Sequence, residues 1–286
     1  MNSVDKHLNA ETKAATLLAM RSAKKDTLLV VEGDTDVDLF ANTLGVPRSN
    51  ILSCNGKEVL MLVYGMGPAK GIDPGSIFIR DRDHDSVITG IKNGVLILVT
   101  TKYDIEMELL GNRIFGRLLS DYLKSPLDRV QESAEFAKVC RPAGYIGALR
   151  LFSHTNAIGI DFDDIKYTRF INAKTMDIGV KEMVRYMFAK SKVKLENLDD
   201  IQAEIEKLVL SVPNDEMACG KEVVDVLHLA LSKHYDACPA SECTSEVLSR
   251  MLRVAANNDD MKMLPMYAAL RAHVASSGFP WNGAPL

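Results

Sequence analysis

The sequence predicts an α/β chain: a mostly parallel four-stranded sheet with its helices, followed by a mainly helical C-terminal lobe. Three observations carry this. Short apolar runs alternate with helical patterns through about residue 100, the signature of βαβ units. The runs are apolar throughout and do not alternate with polar residues, as strands covered on both faces require. After about residue 105, strand signals nearly vanish and helical spacing takes over.

Residues 4–25 read as an amphipathic helix, with Leu8, Ala15, Leu18 and Met20 roughly on one side and lysines crowding its end. Residues 27–31 (TLLVV) form the first strand, broken by Glu32-Gly33-Asp34. A helix over 35–44 turns Val37, Phe40, Ala41 and Leu44 inward, and Gly45 and Pro47 end it. Residues 50–54 (NILSC) form the second strand; Asn55-Gly56-Lys57 then turns into a helix over 58–65. The glycine- and proline-rich stretch 65–75 is loop. Residues 76–80 (SIFIR) form the third strand, ending at Asp81, and 94–100 (GVLILVT) the fourth. Beyond it, 105–123, 128–139, 176–190, 196–210, 220–235, 242–256 and 260–276 have helical character, and 158–162 and 166–171 are the weak strand candidates.

A chain of 286 residues fits one α/β domain plus an added lobe. Ser125-Pro126 interrupts the chain, so the division is expected there, as 1–125 and 126–286. Apolar residues make up 47% and charged residues 25%, ordinary for a soluble globular protein. The net charge of −4 means that nucleic-acid binding would need a local basic patch, or metal ions that cancel carboxylate charge. The five cysteines are odd in number and contain no CxxC, and the first 25 residues are polar and mixed in charge. A reducing cytoplasm is expected, and apolar runs fall short of the ~18 residues of a membrane span.

Two acidic clusters sit at the ends of two predicted strands: Glu32 followed by Asp34, Asp36 and Asp38, and Asp81-Arg82-Asp83-His84-Asp85. In a parallel sheet the carboxyl ends of the strands share one edge, where ligands bind. Carboxylates packed together repel one another, a divalent cation is the usual remedy, and hard oxygen donors suit Mg2+ or Mn2+ better than zinc. Against this, strand-end acids are often solvated turn residues, and Asp34 or Thr35 would serve equally as a helix cap. An EF-hand is set aside: Asp81, Asp83 and Asp85 match its first ligand positions, but Ser86 replaces the turn glycine and Lys92 the bidentate glutamate.

A glutamate after the first strand, in LLVVEGDTDV, and a DxD after a later strand, in IFIRDRDHD, resemble the TOPRIM fold of topoisomerases, primases and overcoming-lysogenization-defect (OLD) nucleases. The resemblance covers about residues 27–110. NGKEVL and TKYDIEMELL are similar to TOPRIM effectors of PARIS-type anti-phage systems in bacterial defence loci. In that family an ABC-type ATPase partner holds the effector until a phage protein triggers release, and the released effector is a toxic nuclease acting on tRNA. The resemblance implies a Mg2+-dependent nuclease. Asp81 and Asp83 would bind the ion, with Glu32 binding a second ion or acting as general base on water. Asp36 and Asp85 would be outer ligands and Glu106 a further candidate, unless it merely faces solvent on a helix. It also implies a homodimer when active. The sequence carries no topoisomerase tyrosine context, no primase zinc module and no Walker A motif.

Lys57, after Gly56 at a helix start, would meet a phosphate or be a surface lysine. Arg80 and Arg82 would steer the scissile phosphate or only balance acidic neighbours. In KEMVRYMFAKSKVK, the cations Lys181, Arg185, Lys190, Lys192 and Lys194 interleave with Tyr186 and Phe188, which suits looped RNA; the alternative is a solvated helix face over core aromatics. His228, His234, Cys238 and Cys243 have spacings a zinc site could use, but no CxxC anchors them. Trp281 would dock a partner or fold back on the helical lobe. Beside the RNA nuclease stand two alternatives, a DNA-nicking OLD-like nuclease and a non-catalytic module that docks on an ATPase.

Overall fold

The computed structural model describes residues 3–85, 89–92 and 94–286, and its contacts divide the chain into two units, Met1–Thr101 with Ala256–Leu286 and Lys102–Ala255. The sequence placed the division near residue 125. The contacts place it after Thr101 and return the last segment of the chain to the first unit.

In the first unit, α1 (Ser3–Ala23), β1 (Leu28–Val31), α2 (Asp34–Leu44), β2 (Ile51–Ser53), α3 (Lys57–Met66) and β3 (Ser76–Arg80) alternate as expected. The sheet has five strands, one more than predicted. Gly90–Lys92 forms β4, which pairs antiparallel with β5 (Val95–Val99) through Ile91 opposite Leu96. It escaped notice because three residues are too few to show a period. The strand order is β2-β1-β3-β5-β4, with the first four parallel. The order turns at the β1–β3 pair, since β1 is followed outward by β2 on one side and by β3 on the other.

Every residue of β1, β3 and β5 is buried; β1 and β5 are wholly Val/Ile/Leu, and β3 carries Ile77, Phe78 and Ile79 between Ser76 and Arg80. Leu28, Val30, Phe78, Ile97 and Val99 share a core with Leu60 and Val63 of α3 and with Ala10, Ala14 and Leu17 of α1. The last three recur at i, i+4 and i+7 and form the true inner face of α1; Leu8, expected inside, is 63% exposed. Two of these three are alanines, so bulk hydrophobicity does not reveal the face. On α2 the buried residues are Leu39, Phe40, Thr43 and Leu44.

The second unit is helical: α4 (Ile105–Leu109), a π-turn at Leu110–Ile114, α5 (Phe115–Leu123), α6 (Arg129–Thr155), α7 (Val180–Lys190), α8 (Leu198–Ser211), α9 (Asn214–Met217), α10 (Gly220–Leu229) and α11 (Ser245–Ala255). Asp128 caps α6, its carboxylate accepting from the N–H groups of Val130 and Gln131 at 2.8 and 2.9 Å. The helix expected over 128–139 continues to Thr155 through Pro142. Tertiary packing outweighs the proline there: α6 lies against α9 so closely that a Cβ on Gly147 would stand 2.0 Å from the Met217 carbonyl oxygen. Neither weak strand candidate forms a strand. Tyr167–Arg169 is a 3-10 turn, and Ile171 makes only an isolated bridge to Ile178.

The chain returns to the first unit with α12 (Asn258–Lys262) and α13 (Pro265–Ser277). His273 Nε2 lies 2.7 Å from the Pro74 carbonyl oxygen. The tail then packs on the α/β unit: the Thr27 N–H donates to Pro280 O at 2.8 Å and the Ala284 N–H to Leu44 O at 2.6 Å. Trp281 donates its ring N–H to Ala284 O at 2.7 Å, so it braces its own tail within the first unit. Among the described residues, no helix is long and apolar enough to cross a membrane.

Candidate functional site

The parallel strands deliver both acidic clusters to one edge. Glu32 follows β1 and Asp81 follows β3; these strands are neighbours, paired with Val30 opposite Phe78. The Asp81 backbone N–H donates to Glu32 Oε1 at 2.9 Å. This edge lies beyond the carboxyl ends of the strands, at the point where the strand order turns, the usual location of ligands in open α/β sheets. β2 reaches the same edge: the Cys54 N–H donates to Val31 O at 2.9 Å and the Gly56 N–H to Glu32 O at 2.8 Å. Gly56 has φ 128, a conformation open mainly to glycine, and this lets α3 begin at once with Lys57.

Lys57 Nζ lies 2.5 Å from Asp83 Oδ2 and 2.8 Å from Asp85 Oδ2. Arg80, whose side chain is almost wholly buried, places Nη2 2.5 Å from Asp85 Oδ2 and donates Nε–H to Asp81 O at 2.8 Å. Of its two expected roles, Arg80 therefore fills the balancing one in this conformation. Asp83 takes a left-handed backbone, φ 52, which aspartate tolerates better than most residues. The Arg82 N–H is held by the Thr100 hydroxyl at 2.9 Å, which ties the DxD segment to the end of β5. Asp36 accepts from the Gly33 N–H at 2.8 Å, so it caps α2 as well as lying near the site. Ser86, which argued against an EF-hand, lies outside the described residues.

The electrostatics follow from this packing. Burial raises the Glu32 carboxyl from 4.5 to about 7; the Asp81 N–H opposes that rise, Asp83 and Asp36 reinforce it, and Arg80 opposes it weakly. Burial by itself would lower the Lys57 ammonium, but its hydrogen bonds to Asp83 and Asp85 carry it above its ordinary value. For Asp85, burial pushes upward, and the bonds from Lys57 and Arg80 win and hold it below the ordinary carboxylate value.

The site therefore gathers Glu32, Asp36, Asp81, Asp83 and Asp85 with Lys57 and Arg80. Its donors are oxygens, the set suited to Mg2+ or Mn2+. Among the described residues, no three acidic, histidine or cysteine side chains already form a cage for an ion; Asp83 and Asp85 are instead paired with Lys57, and Asp85 also with Arg80. That statement also covers His228, His234, Cys238 and Cys243. His228 Nδ1 instead lies 2.7 Å from Cys243 O, and all five cysteines are free thiols. Glu106 belongs to the second unit, where its Cβ lies 2.5 Å from the position of a Cβ on Gly220. The sequence reading missed the role of Thr100, and a lone threonine after a strand carries no signal that would have found it.

The basic segment of the second unit is largely paired. Lys181 bonds Asp199 at 2.8 Å, Lys190 bonds Asp161 at 2.7 Å and Lys194 bonds Glu196 at 2.6 Å. Phe188 is buried, and the Tyr186 hydroxyl accepts from the Lys166 N–H at 3.0 Å. Arg185 and Lys192 are exposed. No protein-family model matches this chain, and no curated protein sequence matches it either.

Proposed function

We propose that the α/β unit is a TOPRIM-type, Mg2+- or Mn2+-dependent nuclease that hydrolyses phosphodiester bonds, and that the chain is the toxic effector of a PARIS-like anti-phage system. RNA such as tRNA is its substrate, and an ABC-type ATPase holds it inactive until release, when it acts as a homodimer. One observation carries the nuclease reading: Glu32 and Asp81, distant in sequence, are hydrogen-bonded at the carboxyl edge of adjacent strands, with Asp83 close enough to raise the Glu32 carboxyl. The defence and partner assignments rest on the resemblance of the motifs.

Asp81 and Asp83 would hold the ion, with Asp36 and Asp85 outside them. When bound, it supplies charge neutralisation and lowers the pKa of a coordinated water. Glu32, whose carboxyl is raised to about 7 in the metal-free chain, is the general base on the attacking water or binds a second ion. Lys57 provides positive charge at the same edge for an anionic backbone, while the buried Arg80 balances Asp85. Arg185 and Lys192, exposed on the second unit, are the cations best placed for RNA phosphates, whereas Phe188 is committed to the core.

Incubating purified protein and Mg2+ with tRNA and with plasmid DNA tests the reading. Cleavage of tRNA that disappears in Glu32→Ala and Asp81→Ala supports it. Cleavage of plasmid alone selects the DNA-nicking alternative, and wild-type activity in either variant refutes the site.

A further inference from the structure

We propose that Lys57 is the built-in counter-cation of Asp83 and Asp85, an ammonium that a divalent ion must displace before it can bind there. This rests on the metal-dependent reading above and concerns the regulation of that same site.

One ammonium bridges two carboxylates, 2.5 Å from Asp83 Oδ2 and 2.8 Å from Asp85 Oδ2. It occupies oxygen lone pairs that a Mg2+ or Mn2+ ion needs, and it repels that ion. The two cations of the site are not equivalent. Arg80 is 3% exposed, and its guanidinium also holds the carbonyls of Asp81 and Arg82, at 2.8 and 3.3 Å, so it is fixed. Among the described residues, the Lys57 ammonium is held by its two carboxylates alone, at the end of a flexible four-carbon stem. It is therefore the displaceable one. Its backbone does not leave with it: Lys57 is the first residue of α3, and the preceding Gly56 is bonded to the Glu32 carbonyl at 2.8 Å. The displaced ammonium stays at the edge, where an anionic substrate arrives. Metal-free protein thus keeps its acids paired and folded, and metal loading exposes a cation for the substrate.

The test is Mn2+ binding to chelator-stripped, full-length protein, followed by calorimetry and by the Mn2+ spin-resonance signal, together with the melting temperature with and without Mn2+. Lys57→Met and Lys57→Gln remove the competing charge from a part-exposed position. Both should bind Mn2+ about tenfold tighter or more, the scale by which one nearby charge alters a carboxylate's affinity for a cation. Lys57→Arg should not. The metal-free melting temperature should fall in Met and Gln, with the deficit narrowing when Mn2+ saturates. Unchanged or weaker Mn2+ binding in both Met and Gln overturns the proposal. If wild type binds Mn2+ through Glu32 and Asp81 while the Lys57 variants are indifferent, only the counter-cation role falls. If neither wild type nor the variants bind Mn2+, the nuclease reading falls with it.

Discussion

The backbone N–H of Asp81 donates to the Glu32 carboxylate at 2.9 Å and so ties together the ends of two neighbouring parallel strands. The donor is main chain, so it survives any substitution of the Asp81 side chain. Asp81→Ala is therefore expected to abolish cleavage while leaving this bond in place. Glu32→Ala loses one net hydrogen bond, a cost of about 0.5–1.5 kcal/mol, and, on the proposed role of Glu32 as general base, a factor on the order of 10^2 to 10^4 in rate. Nuclease assays paired with thermal melts check both, and a variant that melts normally and cleaves normally contradicts the assignment.

Glu32 also predicts a pH signature for the metal-free protein. Its carboxyl is raised from 4.5 to about 7, mainly by burial. Between those values the folded chain holds a proton that the unfolded chain has released, so this stabilising contribution is full below about 4.5 and is lost as pH rises through about 7. Glu32→Gln lacks the dependence. Its stability relative to wild type should grow across that window and then level off, as followed by denaturant melts in chelator. Parallel profiles for the two proteins would contradict the shift.

Two glycines in helices should respond oppositely to alanine. At Gly65, on α3, a Cβ meets nothing within 4 Å, and Gly65→Ala should stabilise by about 0.5–1 kcal/mol through helix propensity. At Gly147, on α6, a Cβ would lie 2.0 Å from the Met217 carbonyl, and Gly147→Ala should destabilise by about 1–3 kcal/mol or more. Chemical denaturation of the pair measures the contrast.

Arg150 and Glu222 form an ion pair in the second unit, with Glu222 only 2% exposed and the Arg150 guanidinium stacked 4.3 Å from the Phe162 ring centre. Arg150→Met strands a buried carboxylate and should cost about 3–5 kcal/mol. Adding Glu222→Leu should recover most of that loss. A double variant no more stable than the single one would show that the pair is not the unit that matters.

Phe188 is 2% exposed, inside the second unit. Phe188→Ala is therefore expected to cost about 3–5 kcal/mol of stability and to leave the salt dependence of RNA affinity unchanged. Arg185→Gln and Lys192→Gln should do the reverse, flattening the salt response without lowering the melting temperature. Binding titrations at several salt concentrations distinguish the two behaviours.

Much of the fold was legible because local signals agreed with one another. LLVV, SIFIR and VLILV are apolar on both faces, and such runs separated by helices demand a covered parallel sheet. The same logic places Glu32 and Asp81 at one edge, since parallel strands end on the same side. Other features left no local trace. The inner face of α1 depends on which helix it meets, and the passage of α6 through Pro142 depends on packing against α9. The return of the last segment to the first unit depends on contacts across nearly the whole chain.

The sequence by itself determined the alternation of strands and helices and the identity of the acids, because these follow from side-chain period and from the shared polarity of parallel strands. Only the tertiary structure decided what those acids touch. Glu32 is bound by a main-chain N–H, Asp36 caps its own helix, and Asp83 and Asp85 are paired with Lys57 and Arg80. Hydrogen bonds and ion pairs are set by distances of a few ångströms between segments far apart in the chain, and spacing along the sequence does not encode those distances.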